Sequence, residues 1–292
     1  MRRAQLRLGW KEPFNVDAIS TRTVEIHARR GWVPLGLSEI WDFRELVFFF
    51  LWRDVKGRYR QMALGPLWVI LHPLMNMVLF TLIFGMVANL PSDDIPYPLF
   101  SYSALLPWTF FSGALLSVSN SLLQYRNLIS KVYFPRLIIP LVAVLSGVFD
   151  FLVSFVVLMG MAFFYGYYPT WQMLLIPLYL LLAGITALAV GLWLASWVVH
   201  FHDIADLLSY AVRAWMFVSP VVYASSLVPE RWQTLYHLNP MTNVIEGFRW
   251  ALLGTGSAPG LMLWISFLIV IPLMVGGAYY YRLTERSIVD VA

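Results

Sequence analysis

LIIPLVAVLSGVFDFLVSFVVLMGMAFFY, Leu137 to Tyr165, runs for twenty-nine positions with one charged side chain, Asp150. A helix needs about 20 apolar residues to cross a bilayer, so this segment can cross with a tilt. Similar runs lie on either side of it. Spans are expected at 66–88, 100–122, 137–165, 173–199, 207–225 and 260–281. The run 207–225 is the weakest, being short and carrying Arg213. Composition agrees, with 60% hydrophobic, 16% aromatic and only 12% charged residues. That charged share is about half the usual value for a soluble domain. The expected fold is an all-α integral membrane protein with six transmembrane helices.

The remaining segments read differently. Residues 1–37 are polar and punctuated by Gly9, Pro13, Gly31, Pro34 and Gly36, which reads as a cytoplasmic lead-in. Its basic start has no apolar h-region, so no signal peptide is expected. From Ile40 to Met62, Ile40, Phe43, Val47, Leu51, Val55, Tyr59 and Met62 form one helical stripe. Asp42, Glu45, Arg53, Lys56 and Arg60 fall on the other side. The apolar centre is too short to span, so 38–65 is expected to be an amphipathic helix in the cytoplasmic interface. Between the last two spans, 226–259 holds two short helical patterns, at about 229–253. Asn239 suits an N-cap and Pro240 the first helical position. Neither piece can span, so a re-entrant or interfacial pair on the outer side is expected, buried in protein or facing a water-filled cavity.

Charge sets the orientation. Seventeen of the twenty Lys and Arg precede the first span, lie in 123–136, or follow the last span. The alternate loops 89–99, 166–172 and 226–259 hold Arg231 and Arg249 only. By the positive-inside rule both termini are cytoplasmic, with 283–292 a cytoplasmic tail. The net charge of +4 therefore reflects topology, and no nucleic-acid partner is expected. The chain has no cysteine, which excludes disulfides and thiolate metal sites.

Five stretches then carry a family resemblance. RELVFFFLWRDVKGRYRQMALGPLWVILHPL, YPLFSYSALLPWTFFSGAL, NLISKVYFPRLIIPL, SPVVY and LYHLNPMTNVIEGFRWALLG occur in that order from residue 44 onward. Together they resemble the permeases of ABC transporters that export O-antigen, capsular polysaccharide or wall teichoic acid. The resemblance runs from about Leu37 to the C-terminus. It implies a multi-pass protein of the bacterial inner membrane, working as a homodimer with two copies of an ABC ATPase and passing lipid-linked polysaccharide outward. It also implies an interfacial helix at 40–62 and re-entrant helices before the last span. A smaller lipid or glycolipid cargo is the alternative, and a membrane-bound glycan-modifying enzyme a more remote one. For the latter no convergent acids, histidines or metal site stand in one loop. A secondary transporter would more often carry internal repeats, which the two halves do not display.

Site expectations follow from that resemblance and from sugar chemistry. Lys11, Lys56 and Lys131 are the only lysines and none follows a glycine, so no Walker A motif is present. ATP and Mg are expected on the partner ATPase, with no cofactor or catalytic residue in this chain. Expected contacts to that partner are Arg53, Asp54, Arg58, Arg60, Tyr125, Asn127, Lys131 and Phe134. The same arginines suit a pyrophosphate at the cytoplasmic entrance, or simply the headgroups of membrane lipids. Sugar rings stack their C–H faces on aromatics, which makes Tyr102, Trp108, Phe110, Phe111, Trp215, Phe217 and Tyr223 expected pore lining, although aromatics also gather at membrane interfaces. Asp150 and Arg213 are charges inside spans, free to face the pore, pair with each other or sit at a mouth. His200, His202 and Asp203 read as a helix-end motif rather than a metal site. Asp93-Asp94 reads as a solvated turn.

Overall fold

A computed structural model describes residues 37–60, 67–125, 128, 134–201, 203–254 and 260–291; for residues 37, 38, 59, 60 and 285–291 it describes the backbone alone. The expected lead-in, Asn127, Lys131, His202 and the Arg60 side chain lie outside that description. Among the described residues every regular element is helical. They run α1 (Leu37–Asp42), α2 (Arg44–Arg60), α3 (Leu67–Phe80), α4 (Tyr97–Ser119), α5 (Ser121–Gln124), α6 (Ile138–Phe164), α7 (Ile176–His200), α8 (Asp203–Val218), α9 (Glu230–His237), α10 (Pro240–Leu253) and α11 (Leu261–Val291). A π-helical turn, Thr81–Val87, prolongs α3, and a 3-10 turn, Trp171–Leu175, leads into α7.

Five of these helices are long and apolar enough to cross a membrane: Leu67–Val87, Tyr97–Ser119, Ile138–Phe164, Trp171–His200 and Leu261–Thr284. Each begins and ends within about three residues of the expected span. The segment expected at 207–225 is different. Its helix, α8, has 16 residues. At 1.5 Å per residue it is about 24 Å long, short of a hydrocarbon core of about 30 Å. Two prolines and tight turns follow it, and Val221 N–H already closes onto Ser219 O.

The bundle is organised around α4 and α7. Helix α4 packs on α3, α6, α7 and α10, and it is the most enclosed of the five apolar helices. Helix α7 offers small side chains at Ala183, Ala187, Gly191 and Ala195, four residues apart and so on one face. In lipid, packing between spans depends on such close backbone approach. A Cβ on Gly191 would lie 2.6 Å from Val118 Cγ1 of α4, so the two helices meet at contact distance there. On its other side α7 receives α11, where the Trp193 indole stacks on Tyr280 and donates to Leu273 O at 3.0 Å. Helix α3 is the least enclosed, with Met75, Val78, Leu79, Leu82, Ile83, Met86 and Val87 exposed.

Helix α10 is short but among the most deeply buried elements. The expected cap is present: Asn239 Oδ1 accepts from Met241 N–H at 3.2 Å, and Pro240 opens the helix. Asn239 also does more than the cap requires. The same oxygen accepts from Trp215 Nε1 at 3.1 Å, and its amide donates to Ser219 Oγ at 2.9 Å. One side chain thus ties α10 to the end of α8. Asn239→Ala should lower the chain's stability by about 2–3 kcal/mol, the loss of a cap plus two half-buried hydrogen bonds. Thermal unfolding in detergent tests this; a midpoint matching the wild type would reject the link. Gly254 ends the helix at φ +69°, a left-handed C′ conformation in which its N–H bonds Trp250 O.

Candidate functional site

Helix α2 is where the expected coupling residues converge. Its inward row is Leu46, Phe50, Asp54 and Arg58, four residues apart on one face. Trp41, Phe48, Phe49 and Trp52 stand exposed elsewhere on α1 and α2. The row begins apolar and ends charged, and the two charges make separate clasps.

The first clasp gathers four of the expected residues around Phe50, which sequence reasoning had missed. Asp54 Oδ2 accepts from the Tyr125 phenol at 2.5 Å, across 71 residues of chain. Asp54 Oδ1 accepts from Arg53 Nη2 at 3.0 Å. The Arg53 guanidinium also lies over the Phe50 and Tyr125 rings, at 4.8 and 5.1 Å. Phe134 meets Phe50 edge to face at 5.6 Å. Burial, reinforced by the Asp54 carboxylate, pushes the Tyr125 phenol up to about 12, so it donates throughout the physiological range. The cluster fixes both ends of the segment 125–134 to α2.

The second clasp answers the question of the intramembrane acid. Asp150 of α6 pairs with Arg58, not with Arg213. The other guanidinium nitrogen donates to Ser146 Oγ at 3.2 Å, one turn earlier on α6. Arg213 instead lies on an exposed face of α8, 6.0 Å from the Tyr210 ring. The helix expected in the cytoplasmic interface is therefore ion-paired to a long apolar helix, α6. The pair lies in a cavity of about 560 Å³ between α2, α3, α4 and α6, which Trp68, His72, Phe110 and Gln124 help to line.

The aromatic residues expected to line a pore fall into buried and exposed groups. Tyr102, Trp108 and Phe111 are 0–4% exposed, in the packed interior of the chain. The reason is the position of α4: as the central helix it has little surface left to offer. Trp215 meets Phe111 edge to face at 5.1 Å and Trp108 at 6.4 Å, making one aromatic cluster between α4 and α8. Tyr102 donates to Ser154 O at 3.3 Å. Phe110 contributes its ring to the cavity. Phe217 is exposed, and Tyr223 donates to Phe217 O at 3.2 Å.

Arg249 of α10 has a structural placement as well. Its guanidinium lies 3.6 Å over the Phe100 ring and donates to the carbonyls of Phe100 and Val221 at 3.4 and 3.3 Å. It is 6% exposed. One of the two cations in the sparsely charged loops is thus held inside the protein. Asp93 and Asp94 both adopt positive φ, the tight turn expected of them, and Asp93 accepts from Ser226 at 3.1 Å.

Among the described residues, an all-helical fold with five helices long and apolar enough to cross a membrane is that of an integral membrane protein. The chain belongs to the ABC-2 type transporter family, whose profile matches residues 45–253. It is 30% identical to the O-antigen export system permease protein RfbA of Myxococcus xanthus, over 73% of this chain and 82% of that one. The protein of the same name from Klebsiella pneumoniae is 28% identical over 68% of this chain and 76% of its own length. The polysialic acid transport protein KpsM of Escherichia coli is 24% identical over 81% and 92%.

Proposed function

We propose that this chain is the membrane-spanning permease subunit of an ATP-driven exporter that moves lipid-linked polysaccharide outward across the bacterial inner membrane. Relatives named for O-antigen export and polysialic acid transport support the cargo. The observation that carries the mechanism is the double clasp on α2. Two copies of the chain act with two copies of an ABC ATPase, which binds ATP and Mg. The ATPase docks on α2 and the segment 124–136, including Arg60, Asn127 and Lys131. Because Tyr125 and Phe134 hold that segment to α2, a push on it moves α2 as a body. Because Arg58 holds Asp150, α2 in turn pulls on α6.

In this reading both termini are cytoplasmic and α8 is a sixth, short span, accommodated by local thinning of the bilayer. Helices α9 and α10 form the re-entrant pair at the outer face, with Arg249 holding them to α4. The exposed aromatics of α1 and α2 sit among lipid headgroups and upper acyl chains. Phe217 and Tyr223 remain the aromatics best placed to meet polymer between two copies.

Deleting the gene and returning it on a plasmid tests the cargo. Loss of surface polysaccharide on deletion, restored by the wild type, is expected; an unchanged envelope would reject the exporter reading. The coupling route has its own test. Tyr125→Phe keeps the ring packing and removes only the bond to Asp54, so export should fall several-fold in a complex that still assembles. Export at the wild-type rate would remove the segment from the coupling path.

A further inference from the structure

Helix α11 carries three helix-weakening residues within six positions, Pro272, Gly276 and Gly277. Proline has no N–H to give the carbonyl four residues earlier, that of Leu268, and helices yield most readily at such a break. Glycine adds backbone freedom in the following turn.

One side chain of α7 covers this stretch. The Trp193 indole N–H donates at 3.0 Å to the carbonyl of Leu273, the residue directly after the proline. A Cβ on Gly276 would lie 3.1 Å from Trp193 Cζ2, and one on Gly277 2.9 Å from Trp193 Cδ1, so the ring lies against both glycines. The ring is itself held by stacking on Tyr280, with centroids 5.2 Å apart. In lipid no water competes for the indole N–H, which favours keeping the bond. Trp193 therefore pins to α7 the turns of α11 that follow its break.

The two ends of α11 are tied to different elements. At one end Asn243 of α10 donates through Nδ2 to Ser266 Oγ at 2.7 Å. At the other, Arg282 Nη2 lies 4.0 Å from Glu39 Oε2 of α1. The α1 end is continuous with α2, since Phe43 N–H bonds Glu39 O and Val47 N–H bonds Phe43 O. Ser266 and Arg282 are about 24 Å apart along the helix at 1.5 Å per residue. One helix thus reaches from the element that carries both clasps to the deeply buried α10. A rod passes displacement from end to end only if it does not yield in the middle.

We propose that α11 is a second transmission path, carrying motion of α1 and α2 to α10, and that Trp193 is the positioning residue that braces it at Pro272. The proposal rests on the exporter reading and deepens it. The clasps on α2 act on α6; the braced helix adds a route to the other end of the bundle.

Trp193→Phe keeps a ring beside Tyr280 and removes the N–H donor. Three measurements are compared among variants: hydrogen exchange of the purified chain in nanodiscs, ATP hydrolysis by its complex with the ATPase, and surface polysaccharide in a deletion strain carrying each gene. In Trp193→Phe the amides of 269–278 should exchange several-fold faster and surface polysaccharide should fall several-fold, while ATP hydrolysis stays near the wild-type rate. Pro272 is exposed, so Pro272→Ala restores the missing donor without opening a hole. Alone it should match the wild type, and combined with Trp193→Phe it should return both exchange and export to wild-type levels. A ring that acts only by packing would not be rescued in this way. Ser266→Ala, remote from the brace, should lower export several-fold and leave exchange over 269–278 unchanged; it covers the case in which Trp193→Phe misfolds. Wild-type exchange or export in Trp193→Phe, no rescue by Pro272→Ala, or full export by Ser266→Ala would each overturn the proposal. A gene deletion that leaves surface polysaccharide unchanged would remove the exporter reading instead, and the exchange measurements would still decide the brace.

Discussion

Asp150→Ala should destabilise the chain by about 2 kcal/mol and lower ATP-driven export by an order of magnitude. Removing the carboxylate leaves Arg58 in a half-apolar cavity, where it donates to Ser146 Oγ. Losing one partner of a fully buried ion pair costs about 3–5 kcal/mol. Here the side chains keep 34% and 27% of their surface exposed, so water screens part of the attraction and the smaller figure applies. Arg58→Met alone should cost a comparable amount, because it takes the facing positive charge from a carboxylate within a span. The double variant should be more stable than the sum of the two losses predicts, by about 1–2 kcal/mol, since neither charge is then left behind. Thermal unfolding of the four proteins in detergent measures the cycle. Additivity to within about 0.3 kcal/mol would mean that the pair contributes nothing and α2 is held by apolar contacts alone. For export, the double variant separates stability from coupling: if the clasp transmits motion, it regains stability without regaining transport.

Gly247→Ala should be the most damaging alanine substitution among the described glycines. Gly247 lies mid-way along α10, where a Cβ would overlap the Tyr179 ring of α7. Tyr179 is fully buried and aromatic, so it has no rotamer to escape into. Overpacking usually costs about 1–3 kcal/mol, and this contact lies at or above the upper end because ring and backbone must both shift. The rescue is specific. The Tyr179 hydroxyl makes no hydrogen bond, so Tyr179→Leu discards no polar contact and vacates the space a Cβ needs. Gly247→Ala with Tyr179→Leu should recover at least half of the lost stability, while Gly247→Ala with Tyr179→Phe should recover none. Monodispersity and unfolding midpoint of the purified chain report both. A Gly247→Ala protein as stable as wild type would show that α10 does not pack on α7 as described.

Parts of this architecture were legible in the residue order. Span positions follow from apolar length, because a lipid-facing helix must satisfy its backbone internally over a fixed thickness. The cap at Asn239-Pro240 is local chemistry, and the paired short helices followed from it. The expected coupling residues Arg53, Asp54, Tyr125 and Phe134 were chosen one at a time from the chain. That they surround a common side chain, Phe50, required α2 and the loop after α5 to be placed together. The burial of Tyr102, Trp108 and Phe111 was hidden for a related reason. A run such as Trp108 to Phe111 looks the same in sequence whether its helix borders a channel or sits at the centre of a bundle.

What the sequence by itself determined is therefore what depends on neighbours along the chain: the five long apolar helices, the cap at Asn239, and the lone acid inside one of them. Tertiary structure decided the partners. Arg58 and Asp150 are 92 residues apart, and Arg213, on the face of it an equally good cation, lies on a different side of the bundle. Coulomb attraction acts through space, and an apolar helix gives no sign in its sequence of which neighbour it will face. The packing of α2 against α6 fixed which charge meets Asp150.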